Sequence, residues 1–211
     1  MKVLVIGGNS FIAKGIEPLL ASEGIQLVRI GKELLDISNE DQIVRFSEKQ
    51  PENCFDAILF AQGINPSQNT KESKELHVVN MLKSNVVGPI LLMKHLHQKL
   101  NPFTSVIFLS SIAAEKGSYD PAYAASKAAM KGLIHSFANE FPSMRFNAIS
   151  LGLVEESPVF QQMTPDFLQK HRDHMHNGQL IQLAQIASVI QLLLCNDNLN
   201  RSIIPLNAGY R

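Results

Sequence analysis

The chain has little that would mark it for an oxidising compartment, a membrane or a nucleic acid. Its 211 residues include two cysteines, Cys54 and Cys195, far apart and without CxxC or metal-type spacing. The expectation is two reduced, mostly buried thiols and no disulfide. No charge of one sign dominates: Lys plus Arg equals Asp plus Glu at 19 each. That removes the basic excess expected of a nucleic-acid or anionic-membrane partner. The opening "MKVLVIGGNS" is too short in apolar residues for a signal segment, and no uninterrupted apolar run of about 18 residues follows. A cytoplasmic protein with no membrane partner is expected. No low-complexity linker, internal repeat or compositional shift divides the chain, so one domain over 1–211 is the simplest account. A chain of this length buries about 70% of its unfolded surface and needs no metal to hold together.

What is present alternates. "KVLVIG" is a β-branched run closed by glycines, and "SFIAKGIEPLLASEG" follows with one apolar helical face and Gly24 as its C-cap. "IQLVRIG" is a second strand. "SNEDQIVRFSEKQ" reads as a helix capped by Ser38. "DAILFAQG", "SVIFLSS", "MRFNAISLG" and "RSIIPLNAG" are further strands, the last with Pro205 marking an edge or bulge. Helical patterns cover about 71–100, "PAYAASKAAMKGLIHSFANEF", "TPDFLQKHRDHM" and "LIQLAQIASVIQLLLCND". Strands and helices at this pitch predict an α/β fold: a Rossmann-like, doubly wound parallel sheet with helices on both faces.

In such a sheet a ligand sits at the carboxyl ends of the strands. The first turn, "GGNSFIA", has Gly7 and Gly8 for a tight bend, with small Asn9 and Ser10 leaving N–H groups reachable at a helix start. That suits a pyrophosphate, although Phe11 and Ala13 stand where further glycines are expected. After the second strand, Lys32 replaces the acidic residue that accepts a ribose 2′-OH, so NADP is preferred, with NAD as the alternative. Asp36 is placed to cap the next helix region or to meet the adenine edge.

"YAASKAAMKG" carries the chemistry. Four residues apart on a helix, Tyr123 and Lys127 share a face. A phenol is a poor base at neutral pH, and an adjacent ammonium pulls its pKa down. A tuned phenol can exchange a proton with a carbonyl or carbinol oxygen. Ser111 closes the preceding strand, within reach of the same oxygen.

The chain resembles a short-chain dehydrogenase/reductase. The matching stretches are "VLVIGGNSFIAKGI", "DAILFAQG", "NVVGPILLMK", "SVIFLSSIAA", "YAASKAAMKGL", "RFNAISLGLVEESP" and "IIPLNAGY", in the family's order over nearly the full length. The resemblance implies that Tyr123 is the catalytic acid/base, Lys127 lowers its pKa and holds the nicotinamide ribose, Ser111 orients the substrate oxygen and Asn85 anchors a proton-relay water. It implies a cofactor wall of Gly7, Asn9, Ser10, Phe11, Ile12, Lys32, Asp36, Ile37, Ala61, Gln62, Gly63 and Val154, with Ser157 near the nicotinamide amide. "FAQG" departs from the family's N-N-A-G, and "SLG" from S-P-G.

The expected activity is hydride transfer between a nicotinamide and a small carbonyl or secondary alcohol. The alternative is a dinucleotide-sensing protein without turnover, which the degenerate glycine loop favours. Residues 155–178 are expected to form a substrate lid, with Met163, Phe167 and Met175 as apolar contacts. His171 and His174 share a helical face but lack a completing ligand set, so no metal is expected. His95 and His97 are expected to be exposed. The helices near 71–100 and 121–141 carry broad apolar faces, so a homodimer or homotetramer is expected.

Overall fold

The computed structural model describes residues 1–63, 69–176 and 178–210. Six strands form one parallel sheet: β1 (Lys2–Ile6), β2 (Gln26–Ile30), β3 (Ala57–Phe60), β4 (Ser105–Ser111), β5 (Arg145–Leu151) and β6 (Ile203–Leu206), in the order β2-β1-β3-β4-β5-β6. The chain runs outward one way from β1 to β2 and the other way from β3 to β6. The switch point therefore lies between β1 and β3, where an open α/β sheet places its ligand.

Period-two alternation divides the core in two. Leu4 and Ile6 of β1, Ile58 and Phe60 of β3, Val106 and Phe108 of β4 and Phe146 of β5 face one side. There they pack on α2 (Glu40–Glu48), α4 (Gly88–Leu96) and α6 (Pro121–Glu140), through Ile43, Leu92, Leu96, Met130, Ile134 and Phe137. Val3, Val5, Leu59, Ile107 and Ile149 face the other side, against α1 (Phe11–Ala21) and α9 (Leu183–Cys195). Strands apolar on both faces are what a helix-covered parallel sheet requires. The Phe60 and Phe108 rings stack at 4.7 Å across the sheet centre. On the opposite side Gly15 brings α1 onto α9, where a Cβ would lie 2.4 Å from Leu183 Cδ1.

Several local expectations are corrected. Asn39, not Ser38, caps α2, accepting from Gln42 N–H, while the Ser38 hydroxyl and N–H both bond Asp36. Gly24 (φ +73°) does close helix α1: its N–H bonds Ala21 O and the Ile25 N–H bonds Leu20 O, the expected left-handed glycine stop. Cys54 is buried, but Cys195 is exposed; both are free. His95 and His97 are half-buried, His97 lying against Phe141. Pro205 does lie in an edge strand.

The long pattern over 71–100 is not one α-helix. It consists of α3 (Glu75–Leu82), a π turn (Lys83–Val87), α4 and a closing 3₁₀ turn (His97–Lys99). By length and composition Glu75–Lys99 is apolar enough to cross a bilayer, yet Leu92, Met93 and Leu96 are fully enclosed in the core. The π turn lies directly before Pro89, whose ring clashes with the carbonyl four residues back, that of Asn85, in α register. Pro89 offers no N–H to Asn85 O in α register or to Ser84 O in π register. Gly88 N–H bonds Lys83 O, and Ser84 O takes the Gln62 side-chain amide at 3.5 Å instead.

Candidate active site

At the carboxyl ends of β1 and β3 a cleft of about 530 Å³ opens, lined by Gly7, Asn9, Ser10, Lys32, Asp36, Ile37, Gln62 and Gly63 among others. Gly7 (φ +77°) is obligatory: a Cβ there would lie 2.6 Å from the backbone of Gln62. Ser10 caps α1, its hydroxyl accepting from Ala13 N–H. Its own N–H is engaged by Gly7 O, so the N–H groups of Phe11 and Ile12, first in the helix and without intrahelical acceptors, remain for an anion. Asn9 lines the cleft with its side-chain amide already engaged. Its amide donates to both carboxylate oxygens of Glu33 at 3.0 Å, an acidic partner that sequence reasoning missed.

Lys32 is exposed and pairs with Asp36 at 3.3 Å. Burial pushes the Asp36 carboxyl up, but the two Ser38 hydrogen bonds and Lys32 outweigh it and hold the group below its ordinary range. Asp36 therefore ties the loop to Ser38 and does not cap α2. Ile37 is buried against Gly88, where a Cβ would meet it at 2.6 Å. His77, Asn80 and Ser84, from α3 and the π turn, also line the cleft. No signal singled them out beforehand, because the π turn sets which face of that helix looks inward.

The cleft leads to Gly63, where the nearest atom to an added Cβ would be Lys127 Nζ at 3.6 Å. After the short helix α5 (Ala113–Lys116), helix α6 starts at Pro121 behind its cap Asp120, whose carboxylate accepts from Tyr123 N–H at 3.0 Å. This start presents Tyr123 and Lys127 towards the end of β4. Lys127 is 4% exposed, and Nζ donates to Leu109 O at 2.7 Å. It lies 5.7 Å from the Tyr123 ring centroid. Burial draws the Lys127 pKa down to about 8. Burial raises the Tyr123 phenol above its ordinary value, and the Ser111 hydroxyl opposes this through a hydrogen bond. This corrects the expectation of a phenol acidified by its neighbouring ammonium: desolvation prevails. Asn85 sits in the π turn, fully buried, its NH₂ donating to Ser126 Oγ at 3.0 Å and its Oδ1 without a partner among the described residues.

Val154 is buried in a bridge to Ile181. The Ser157 hydroxyl caps the short helix α7 (Pro158–Gln161) by accepting from Phe160 N–H, which leaves its own O–H as a donor. Helix α8 (Pro165–Asp173) follows; position 177 of the expected lid lies outside the described residues. His171 and His174 lie together beside the C-terminal tail. Both rings pack on Tyr210, at 5.5 and 5.4 Å, while Phe167 meets His171 edge-on. Burial, then the His174 charge, lower the His171 pKa. Met175 is buried, whereas Phe167 is half exposed.

Ser111, Tyr123 and Lys127 thus converge at one strand end, with Lys127 Nζ the nearest neighbour of Gly63 in the cleft wall. A family model described as enoyl-(acyl carrier protein) reductase matches residues 9–210. The chain belongs to the short-chain dehydrogenase/reductase family. Among similar solved structures is a small-chain dehydrogenase in complex with NADPH, 23% identical, covering 99% of this chain and 97% of its own, with a TM-score of 0.87. Another is a glucose/ribitol dehydrogenase-type member from Brucella melitensis, 21% identical, with 99% and 95% coverage and a TM-score of 0.84. A third is a putative betaketoacyl-ACP reductase, 20% identical, with 99% and 97% coverage and a TM-score of 0.82. At these identities the likeness speaks for the fold. No curated protein matches the chain.

Proposed function

We propose that this family member is a single-domain, cytoplasmic, NADP-preferring reductase of a small carbonyl compound, or a dehydrogenase of the corresponding alcohol. The observation that carries the reading is the convergence of Ser111, Tyr123 and Lys127 beside the dinucleotide-sized cleft. The residues fit the cofactor: Gly7 admits a close backbone approach, the start of α1 offers free N–H groups, and Gly63 leaves space beside Lys127. A bound nicotinamide supplies or accepts the hydride. Phe11 and Ile12 hold the pyrophosphate, and Ile37, Ala61 and Gly63 flank the adenosine. Lys127 bonds the nicotinamide ribose, and Val154 borders the amide. Ser111 orients the substrate oxygen. Tyr123, kept protonated at neutral pH by burial, donates the proton as that oxygen gains charge. Residues 155–178 cover the substrate.

Lys32 lines the cleft while the Glu33 carboxylate is occupied by Asn9, which supports NADP over NAD. Calorimetric titration with NADPH and NADH checks this. NADPH should bind more tightly by about tenfold, and Lys32→Ala should erase the difference. Tenfold tighter NADH would reverse the preference.

Turnover is tested by cofactor oxidation over a panel of aldehydes, ketones, 3-ketoacyl thioesters and enoyl thioesters. Tyr123→Phe should lower kcat by about 10² or more with cofactor affinity held within a few-fold. The second reading, a dinucleotide sensor, is favoured by Phe11, Ala13 and the buried Gln62 amide, whose Oε1 has no partner among the described residues. Tight cofactor binding with no turnover on any member of the panel would select it.

A further inference from the structure

Tyr123, Lys127 and Asn85 are accounted for by the reductase reading, but Ser126 is not. It is fully buried in α6, directly before Lys127, at the contact with the π turn. Its hydroxyl makes two close contacts, 2.8 Å to Tyr123 O and 3.0 Å to the Asn85 side chain.

Hydrogen-bond logic fixes the protons. Tyr123 O can only accept, so the single hydroxyl proton of Ser126 goes there. The Ser126 oxygen is then an acceptor towards Asn85 and must face NH₂. The Asn85 carboxamide is thereby locked, and Oδ1 is left as a buried acceptor with no partner among the described residues. A flipped amide would set two oxygen acceptors against each other and turn a donor where the acceptor now lies. Lys127, the next residue, has three N–H donors, of which the Leu109 carbonyl takes one.

We infer that Ser126 is a positioning residue for Asn85: through its hydroxyl it holds the carboxamide with NH₂ towards α6 and Oδ1 as a free buried acceptor. The inference rests on the reductase reading for its kinetic consequence, but the orientation itself does not depend on turnover.

Two measurements on the full chain separate these. In ¹⁵N spectra the Asn85 side-chain NH₂ pair, assigned by its loss in Asn85→Asp, should exchange slowly with solvent. In Ser126→Ala its exchange should quicken by about tenfold or more. Unchanged exchange overturns the inference whether or not the protein turns over. In the kinetic arm Ser126→Ala should lower kcat about tenfold with NADPH affinity within about twofold. Adding Asn85→Ala to Ser126→Ala should lower kcat no further than Asn85→Ala alone, because both act through one amide. If Ser126→Ala keeps full kcat while Tyr123→Phe loses it, the positioning role is wrong and the reductase reading stands. If wild-type protein turns over nothing in the panel, the reductase reading and the kinetic role fall together, and exchange alone decides whether Ser126 holds the amide.

Discussion

At the scale of single residues, Tyr123 and Lys127 show how burial and charge oppose one another. The sequence places a phenol and an amine on one helical face, which suggests mutual stabilisation of two charges. The fold places both out of water, and desolvation acts against each charged form: the phenol rises and the ammonium falls to about 8. The ammonium thus burdens the folded state for the sake of the site. Lys127→Met should raise stability at neutral pH by about 1 to 3 kcal/mol while removing turnover. The sign with pH follows from the folded value, about 8, lying below the ordinary 10.5. Below pH 8 the amine must stay charged while buried, so the penalty is fully present. It fades as pH climbs from about 8 to 10.5, where the unfolded chain still holds the proton and the folded one has released it. Thermal melts of both proteins across that interval should show the gap closing. A variant less stable than wild type at pH 7 would mean that the Leu109 carbonyl bond outweighs desolvation.

At the scale of elements, two features set the site. One is the π turn at Lys83–Val87, which puts Asn85 inside and directs Ser84 O to Gln62. Its signal was in the chain all along, as a proline four residues after the asparagine, whose carbonyl the ring would strike in α register. The other is the junction of lid and C-terminal tail. His176 N–H bonds Ala208 O at 2.8 Å, and Tyr210 stacks on His174. The tail therefore braces α8 from outside. Tyr210→Ala should raise substrate KM several-fold, about three to ten, and leave NADPH affinity unchanged. Equal KM in steady-state assays would show that the tail does not support the lid. The histidine pair looked like metal chemistry in the sequence because i, i+3 spacing brings two rings to one face. The tertiary structure supplies an aromatic partner in place of a third ligand.

At the scale of the whole molecule, the outer face of Glu75–Leu96 remains apolar. Leu76, Val79, Leu82, Val87 and Ile90 are between 37% and 66% exposed. On α6, Gly132 looks onto open space. We propose that a second copy covers this surface, giving a dimer or tetramer. Light scattering should report an even-numbered oligomer, and Ile90→Lys should shift it towards monomer at micromolar concentration while the sheet stays folded. A monomeric wild type would refute the assembly.

The sequence by itself determined the parallel sheet, the strand-end location of the site and the Ser111–Tyr123–Lys127 set. Those depend on local periodicity and short spacings, which a linear chain carries directly. Only the tertiary structure decided the direction of the Tyr123 shift, the inward aim of Asn85, the diversion of Asn9 to Glu33 and of Ser157 to a helix cap, and the packing of His171 and His174 on Tyr210. Each of these depends on which groups are brought together from far along the chain and how much water is excluded between them, and neither quantity is written in any short stretch of residues.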